Sequence, residues 1–164
     1  MARLATFSYW ANSYFGGAPA AIGGAIALGA LIRVMRFKKP GHSICLGLGL
    51  AVLANSRPYE GLVLGLSIVV ALVMWLSKQN RADVRDSISR VVVPLALVLV
   101  IAGGAMLYYN WRITGHAMRA PQVENRSAYA VAPYFLWQSP RPEPVYNHPE
   151  MKAFYLENEL GFYN

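Results

Sequence analysis

Charge is scarce in this sequence, and cysteine is scarcer. A single cysteine, Cys45, among 164 residues excludes an intramolecular disulfide framework. Placed inside an apolar run, it reads as a small buried hydrophobe. Only 14% of the residues are charged and 55% are hydrophobic. Segments 15–32 and 91–109 carry no charged side chain. A soluble domain spreads its charges along the chain, whereas uncharged apolar runs of about 18 residues or more are membrane-span candidates. The familiar catalytic signatures are missing as well. There is no Gly-rich loop ending in Lys-Ser or Lys-Thr, no His-Glu-x-x-His, no Gly-x-Ser-x-Gly and no cysteine pair. The three histidines, His42, His116 and His148, are far apart and lack neighbouring ligands, so no metal site is expected. Residues 1–13 hold one arginine and no continuous apolar core, which is unlike a signal peptide. No repeat of 20–50 residues is visible.

What is present is an all-α integral membrane pattern. The sequence predicts about four transmembrane helices, at 14–35, 42–56, 59–77 and 88–110. They form a membrane domain over 1–110, followed by a Pro/aromatic-rich extracytoplasmic tail or cap over 111–164. The second helix is short. At about 1.5 Å per residue it covers about 22 Å, less than a hydrocarbon core of about 30 Å. The formal charge of +7 would suggest nucleic acid on a soluble chain. On a membrane chain its placement matters more, and no nucleic-acid partner is expected. Arg33, Arg36, Lys38 and Lys39 fill the first connection. Lys78, Arg81, Arg85 and Arg90 fill the third, with Asp83 and Asp86, while the second holds only Arg57. The positive-inside rule places the first and third connections in the cytoplasm of a cell (inner) membrane. The N-terminus, the second connection and the tail then lie outside.

The tail carries prolines at 121, 133, 140, 142, 144 and 149. Proline density favours disorder, but Tyr129, Tyr134, Phe135, Trp137, Tyr146, Phe154, Tyr155, Phe162 and Tyr163 oppose it, because disordered segments are poor in aromatics. An ordered cap is expected. One amphipathic helix is predicted at 150–160, with Met151, Phe154, Tyr155 and Leu160 near one face. Asn125-Arg126-Ser127 matches the short N-glycosylation pattern. Small residues recur at helical spacing in Ala21, Ala25 and Gly29, in Gly47 and Ala51, and in Gly61 and Gly65. Such spacing lets helix backbones approach in lipid.

Two polar clusters interrupt the apolar chain. In ANSRPYEG, residues 54–61, Pro58 ends one helix near Arg57 and suits the first turn of the next, and Asn55 and Ser56 can cap free backbone groups. One reading is a tight turn in which Arg57 and Glu60 neutralise each other. The other is a site, because ionisable groups at membrane depth are costly and arginine's planar fork suits phosphate. In YWANSYFGG, residues 9–17, the aromatics Tyr9, Trp10, Tyr14 and Phe15 read as an interfacial belt. Its Asn12, Ser13, Gly16 and Gly17 would also let a lipid-linked substrate approach the backbone.

The stretch YWANSYFGGAPAAIGGAIALGAL, a basic loop and then LANSRPYEGL resembles bacterial membrane glycosyltransferases of the C fold. The similar group is family 39-like, of the dolichyl-phosphate-mannose-protein mannosyltransferase type. YYNWRITGHAMRAP and YAVAPYFLWQSPRPEPVYNHPEMKAFY resemble the outer-side segment of such proteins. The resemblance implies a multi-pass enzyme that moves a sugar from a polyprenyl-phosphate carrier to an acceptor at the outer membrane face. It implies that Arg57 contacts the carrier phosphate and that Asn55, Tyr59 and Glu60 line the same site. The family's catalytic Asp or Glu lies in a first outer loop, and residues 1–13 contain neither. The chain is therefore expected to be a partial enzyme whose partners are the lipid bilayer, the polyprenyl-phosphate-linked sugar and the missing helices of a longer chain. No cofactor is evident, and a divalent metal is left to the full-length enzyme. The alternative is a non-catalytic membrane scaffold or assembly subunit, favoured by the small-residue faces. A transporter is weaker, for want of an inverted repeat or an acidic residue in a helix core.

Overall fold

A computed structural model describes residues 17–133 and 137–161. The aromatic cluster at 9–16, the first residues of the first expected helix, and Tyr134, Phe135, Phe162 and Tyr163 lie outside the described residues. The described chain is helical, without strands. Its membrane-like half contains α1 (Gly17–Phe37), α2 (Pro40–Ser56), α3 (Pro58–Ser77) and α4 (Arg81–Thr114). Among the described residues α1, α3 and α4 are long and apolar enough to cross a membrane. The 17 residues of α2 rise about 25 Å, short of a full crossing. Prolines at the first position open both α2 and α3, where a missing N–H costs nothing.

Helices α1 and α2 run antiparallel in backbone contact. A Cβ built on Gly49 would lie 2.7 Å from the Ala27 nitrogen and 2.8 Å from the Gly23 carbonyl oxygen. A Cβ on Gly23 would lie 3.0 Å from the Gly49 oxygen. The contact face of α1 is therefore Gly23, Ala27, Ala30 and Val34, all buried. The expected stripe of Ala21, Ala25 and Gly29 is a different face: Ala21 and Ala25 are exposed. The segment is small-residue-rich all round, so periodicity alone does not pick the face that packs. On α2, Gly47 meets Val98 and Leu95 of α4, and on α3 Gly61 meets Leu53 and Ala54 of α2. Among the described residues nothing lies within 4 Å of a Cβ built on Gly65. The short helix α2 thus touches α1, α3 and α4, and the core joins Ala27, Ala30 and Val34 to Leu46, Ile68, Leu72 and Val91. Cys45 is exposed rather than buried, because it lies off the α2 face that carries Leu46, Gly49 and Leu53.

The fourth helix begins at Arg81, not near residue 88, so the third connection shrinks to residues 78–80. Charge does not stop a helix. Residues 81–92 contain neither Gly nor Pro, and Arg90 pairs with Asp86 one turn away at 2.7 Å. The helix widens into a π-turn at Ile88–Val92, where the Val93 N–H donates to the Ile88 carbonyl. Pro94 follows it, and a proline inside a helix has no N–H for the carbonyl four residues back. That carbonyl belongs to Arg90, and the buried Ser43 hydroxyl donates to it at 3.4 Å.

The first and third connections meet. Lys38, in the left-handed region at φ 49°, donates to Gln79 Oε1 at 3.1 Å, reaches Asp83 at 3.9 Å and lies over the Trp75 ring. The Ser87 hydroxyl donates to the same Gln79 oxygen at 2.7 Å. His42 lies in the first turn of α2 with its ring 5.9 Å from Phe37.

The chain divides into two compact units, Met1–Gly104 and Ala105–Asn164. In the second, α4 ends at Gly115 with φ 76°, where the Thr114 hydroxyl donates back to the Asn110 carbonyl at 2.8 Å and accepts from the His116 N–H at 3.2 Å. Helix α5 (Pro121–Tyr129) was not expected. Its start signals are nevertheless in the sequence, with Pro121 at the first position and Glu124 in the first turn. Asn125-Arg126-Ser127 lies inside it. Helix α6 (Pro149–Lys152) continues as a π-helix over Ala153–Glu159, which widens the spacing expected for residues 150–160. Tyr155 is buried while Phe154 stays exposed. Arg126 ion-pairs with Glu159 and donates to the Ala132 carbonyl at 3.3 Å. The Tyr146 hydroxyl donates to the Tyr129 carbonyl at 2.7 Å, and Tyr155 stacks between the rings of Tyr129 and Tyr146.

Two outcomes follow. Gly49→Ala drives a methyl group into the α1 backbone and is expected to destabilise the first unit by about 1–3 kcal/mol. Gly65→Ala points into open space and is expected to be neutral, or to stabilise by up to about 1 kcal/mol through helix propensity. Equal unfolding curves for the two variants in micelles would refute the close approach. In the second unit, burial above all raises the phenol pKa values of Tyr146 and Tyr155, with nearby acidic side chains adding to it. A raised folded-state value contributes stability that is complete below the unfolded value of about 10 and is lost as pH rises through the folded one. Tyrosinate absorbance and circular dichroism should therefore show the stability of the second unit unchanged by these groups up to about pH 10 and declining above it. Loss of this unit well below that pH would contradict the burial.

Candidate functional site

A single residue, Arg57, separates α2 from α3. Its backbone is extended at φ −143° and ψ 84°. Its N–H donates to the Leu53 carbonyl at 2.8 Å, closing α2, and its own carbonyl accepts from the Gly61 N–H at 2.8 Å, opening α3. Pro58 makes this sharp reversal local: the residue before a proline is pushed out of the helical region. Ser56 does not cap α3. Its hydroxyl turns back to the Val52 carbonyl at 2.8 Å.

The reversal aims the Arg57 guanidinium along the first turn of α3, where Nη1 lies 2.7 Å from Glu60 Oε1. The guanidinium is about one third exposed and the carboxylate more so. Both line an open cleft of about 400 Å³ whose other walls are Gly17, Ala20, Ala21 and Gly24 of α1, with Leu53 and Leu64. The wall formed by α1 is small and apolar. The charged groups stand on one side of it only.

Of the four residues singled out in the sequence, Arg57 and Glu60 share this cleft. Asn55 and Tyr59 do not line it; Asn55 is exposed, and Tyr59 is 78% exposed at the start of α3. Helical geometry explains the split, since residues three apart share a face and adjacent ones do not. Of the α1 wall, only Gly17 was singled out in the sequence for the approach of a lipid-linked substrate, and Ala20, Ala21 and Gly24 were not. Its small residues are visible in GAPAAIGG, but nothing local says that they stand opposite Arg57. Among the described residues no three His, Cys, Asp or Glu side chains gather at metal-binding distance. Comparison with protein-family models, curated proteins and solved structures finds no match for this chain.

The arrangement offers one guanidinium beside an open, largely apolar cleft. Chemically it suits an anionic head with a hydrocarbon tail. Glu60 competes for the same guanidinium. Glu60→Gln removes that competing carboxylate, and the binding of a polyprenyl phosphate in micelles, followed by quenching of a labelled lipid, should tighten. Weaker binding in this variant would mean that Glu60 holds Arg57 in position rather than competing for it.

Proposed function

We propose that this chain is part of a polytopic membrane glycosyltransferase that takes a sugar from a polyprenyl-phosphate carrier at the outer membrane face. The observation that carries the reading is the Arg57 guanidinium set on the rim of an apolar cleft between α1 and the α2–α3 reversal. Arginine matches phosphate with a planar, permanently charged fork. The cleft is walled by small residues that would admit a polyprenyl chain. The resemblance of YWANSYFGGAPAAIGGAIALGAL and LANSRPYEGL to family 39-like enzymes supplies the reaction class.

Four membrane-embedded helices, with the tail and N-terminus outside the inner membrane, accompany this reading. Its support is the charge distribution and the clasp at Lys38. The basic connections 38–39 and 78–80 touch at one end of the bundle, and Arg57 closes α2 at the other. A short α2 would leave Arg57 at or just inside the boundary, at the depth of a carrier phosphate. Asn55 and Tyr59, exposed beside the reversal, would then face the sugar or the acceptor rather than the phosphate.

The 2.7 Å pairing of Arg57 with Glu60 favours a second reading, a scaffold or assembly subunit whose turn is internally neutral. Sugar transfer from a synthetic polyprenyl-phosphate sugar, in membranes containing the full-length protein of which this chain is a part, decides between them. Arg57→Ala is expected to lower transfer by about 10- to 100-fold, the value of a hydrogen bond to a charged group, with membrane insertion unchanged. Unchanged transfer rejects the donor site. Absence of transfer from the unsubstituted full-length protein, together with stable co-purification of another membrane protein, is the scaffold outcome.

A further inference from the structure

A second cationic site lies on α1 at the end of the bundle away from Arg57, and it differs from the first in having no acid. The sequence contains no Asp or Glu before Glu60. Lys38, Arg57 and Arg90 each have a carboxylate. Arg33, Arg36 and Lys39 form no ion pair among the described residues. Arg33 Nη1 donates only backward along its own helix, to the Gly29 carbonyl at 3.2 Å, and the Arg36 guanidinium rests on the Phe37 ring.

Arg33 also stands between two open apolar grooves. One, of about 500 Å³, runs between α1 and α2 past Ile26, Gly29, Ala30, His42 and Cys45. The other, of about 320 Å³, runs along the outer side of α1 past Gly29, Ile32, Arg36 and Phe37. Gly29 and Arg33 line both. Residue 29 has no side chain, so both grooves border the backbone there and the Arg33 guanidinium. A Cβ there would already lie 3.3 Å from Arg33 Nη1.

We infer that this double groove is a binding site for one anionic phospholipid, with its phosphate on Arg33 and Arg36 and its two acyl chains in the two grooves. Charge complementarity selects an anion, because two unpaired guanidinium groups face no carboxylate. Apolar walls open to the side select an anion that carries hydrocarbon. Basic pockets beside membrane helices recognise anionic headgroups, with each Lys or Arg near the surface worth about fivefold in binding. The imidazole of His42, at the mouth of the larger groove, is placed to reach a headgroup oxygen. The inference rests on the membrane setting of α1, α3 and α4 and not on the donor site at Arg57.

The test is lipid selectivity of the whole chain in phosphatidylcholine nanodiscs containing a minor fraction of spin-labelled phosphatidylglycerol. The unsubstituted chain should hold phosphatidylglycerol in preference to phosphatidylcholine. Arg33→Gln with Arg36→Gln should reduce that preference by about 25-fold, fivefold for each arginine. Gly29→Leu should reduce it without removing charge, by placing a side chain where both grooves border residue 29. Arg81→Gln with Arg85→Gln, which removes the same charge from α4, should leave it nearly intact. Equal preference in the unsubstituted and Arg33/Arg36 variants overturns the site. An equal loss in the Arg81/Arg85 variant also overturns it, in favour of diffuse surface charge. Displacement of the labelled lipid by millimolar inorganic phosphate would assign the arginines to a soluble anion instead. A chain that does not enter the nanodiscs overturns the membrane setting itself, a failure distinct from the others.

Discussion

The backbone contact between Gly23 and Gly49 is the constraint on which the first unit depends. In a membrane, helices gain nothing from burying apolar surface against each other, because lipid is as apolar as leucine. Close van der Waals packing has to hold them together. Two glycines and Ala27 bring α1 and α2 to a separation that no larger side chain permits. Once that pair is formed, α2 presents Gly47 to α4 and Leu53 to the Gly61 end of α3. A helix too short to cross the membrane becomes the hub against which the three long ones pack.

The same shortness has consequences at both ends of α2. At one end Pro40 follows two lysines, and Lys38 takes the left-handed conformation that carries its ammonium to Gln79, Asp83 and Trp75. At the other end there is no loop at all. Arg57 alone turns the chain, so its backbone is held at the start of α3, and its guanidinium reaches Glu60 in the first turn of α3. The π-turn in α4 belongs to this arrangement too. Pro94 leaves the Arg90 carbonyl short of its helical donor, and Ser43 of α2 is buried within reach of it. A polar residue in the middle of an apolar interface is thereby accounted for.

Legibility followed the range of the interaction. The starts of α2 and α3 were expected at 42 and 59 and occur at Pro40 and Pro58, because a proline at the first position of a helix is a local signal. The start of α4 was misjudged because charged residues were taken for a loop. A helix tolerates Arg81, Asp83, Arg85 and Asp86, provided that the residues between them propagate it. Helix α5 hid among prolines for the opposite reason: Pro121 looked like a breaker and acts as an initiator. At the candidate site, Arg57 and Glu60 were legible as a pair because they stand three apart. Tyr59 and Asn55 were grouped with them by the family resemblance, and neighbours in sequence do not share a face of a helix.

The sequence by itself determined that this chain is helical and apolar enough for a membrane, where its basic residues fall, and that the chain breaks at Arg57. Each of these is set by composition or by a dipeptide such as Arg57-Pro58, and needs no partner. Tertiary structure decided which of several equivalent small-residue stripes on α1 packs. Gly23, Ala27 and Ala30 were chosen over Ala21, Ala25 and Gly29 because only a specific neighbour, Gly49, distinguishes them. It also decided that Gly29, left out of that contact, would open a groove beneath Arg33. It placed the wall opposite Arg57 on α1, more than thirty positions earlier in the chain, a distance at which sequence pattern carries no geometric information.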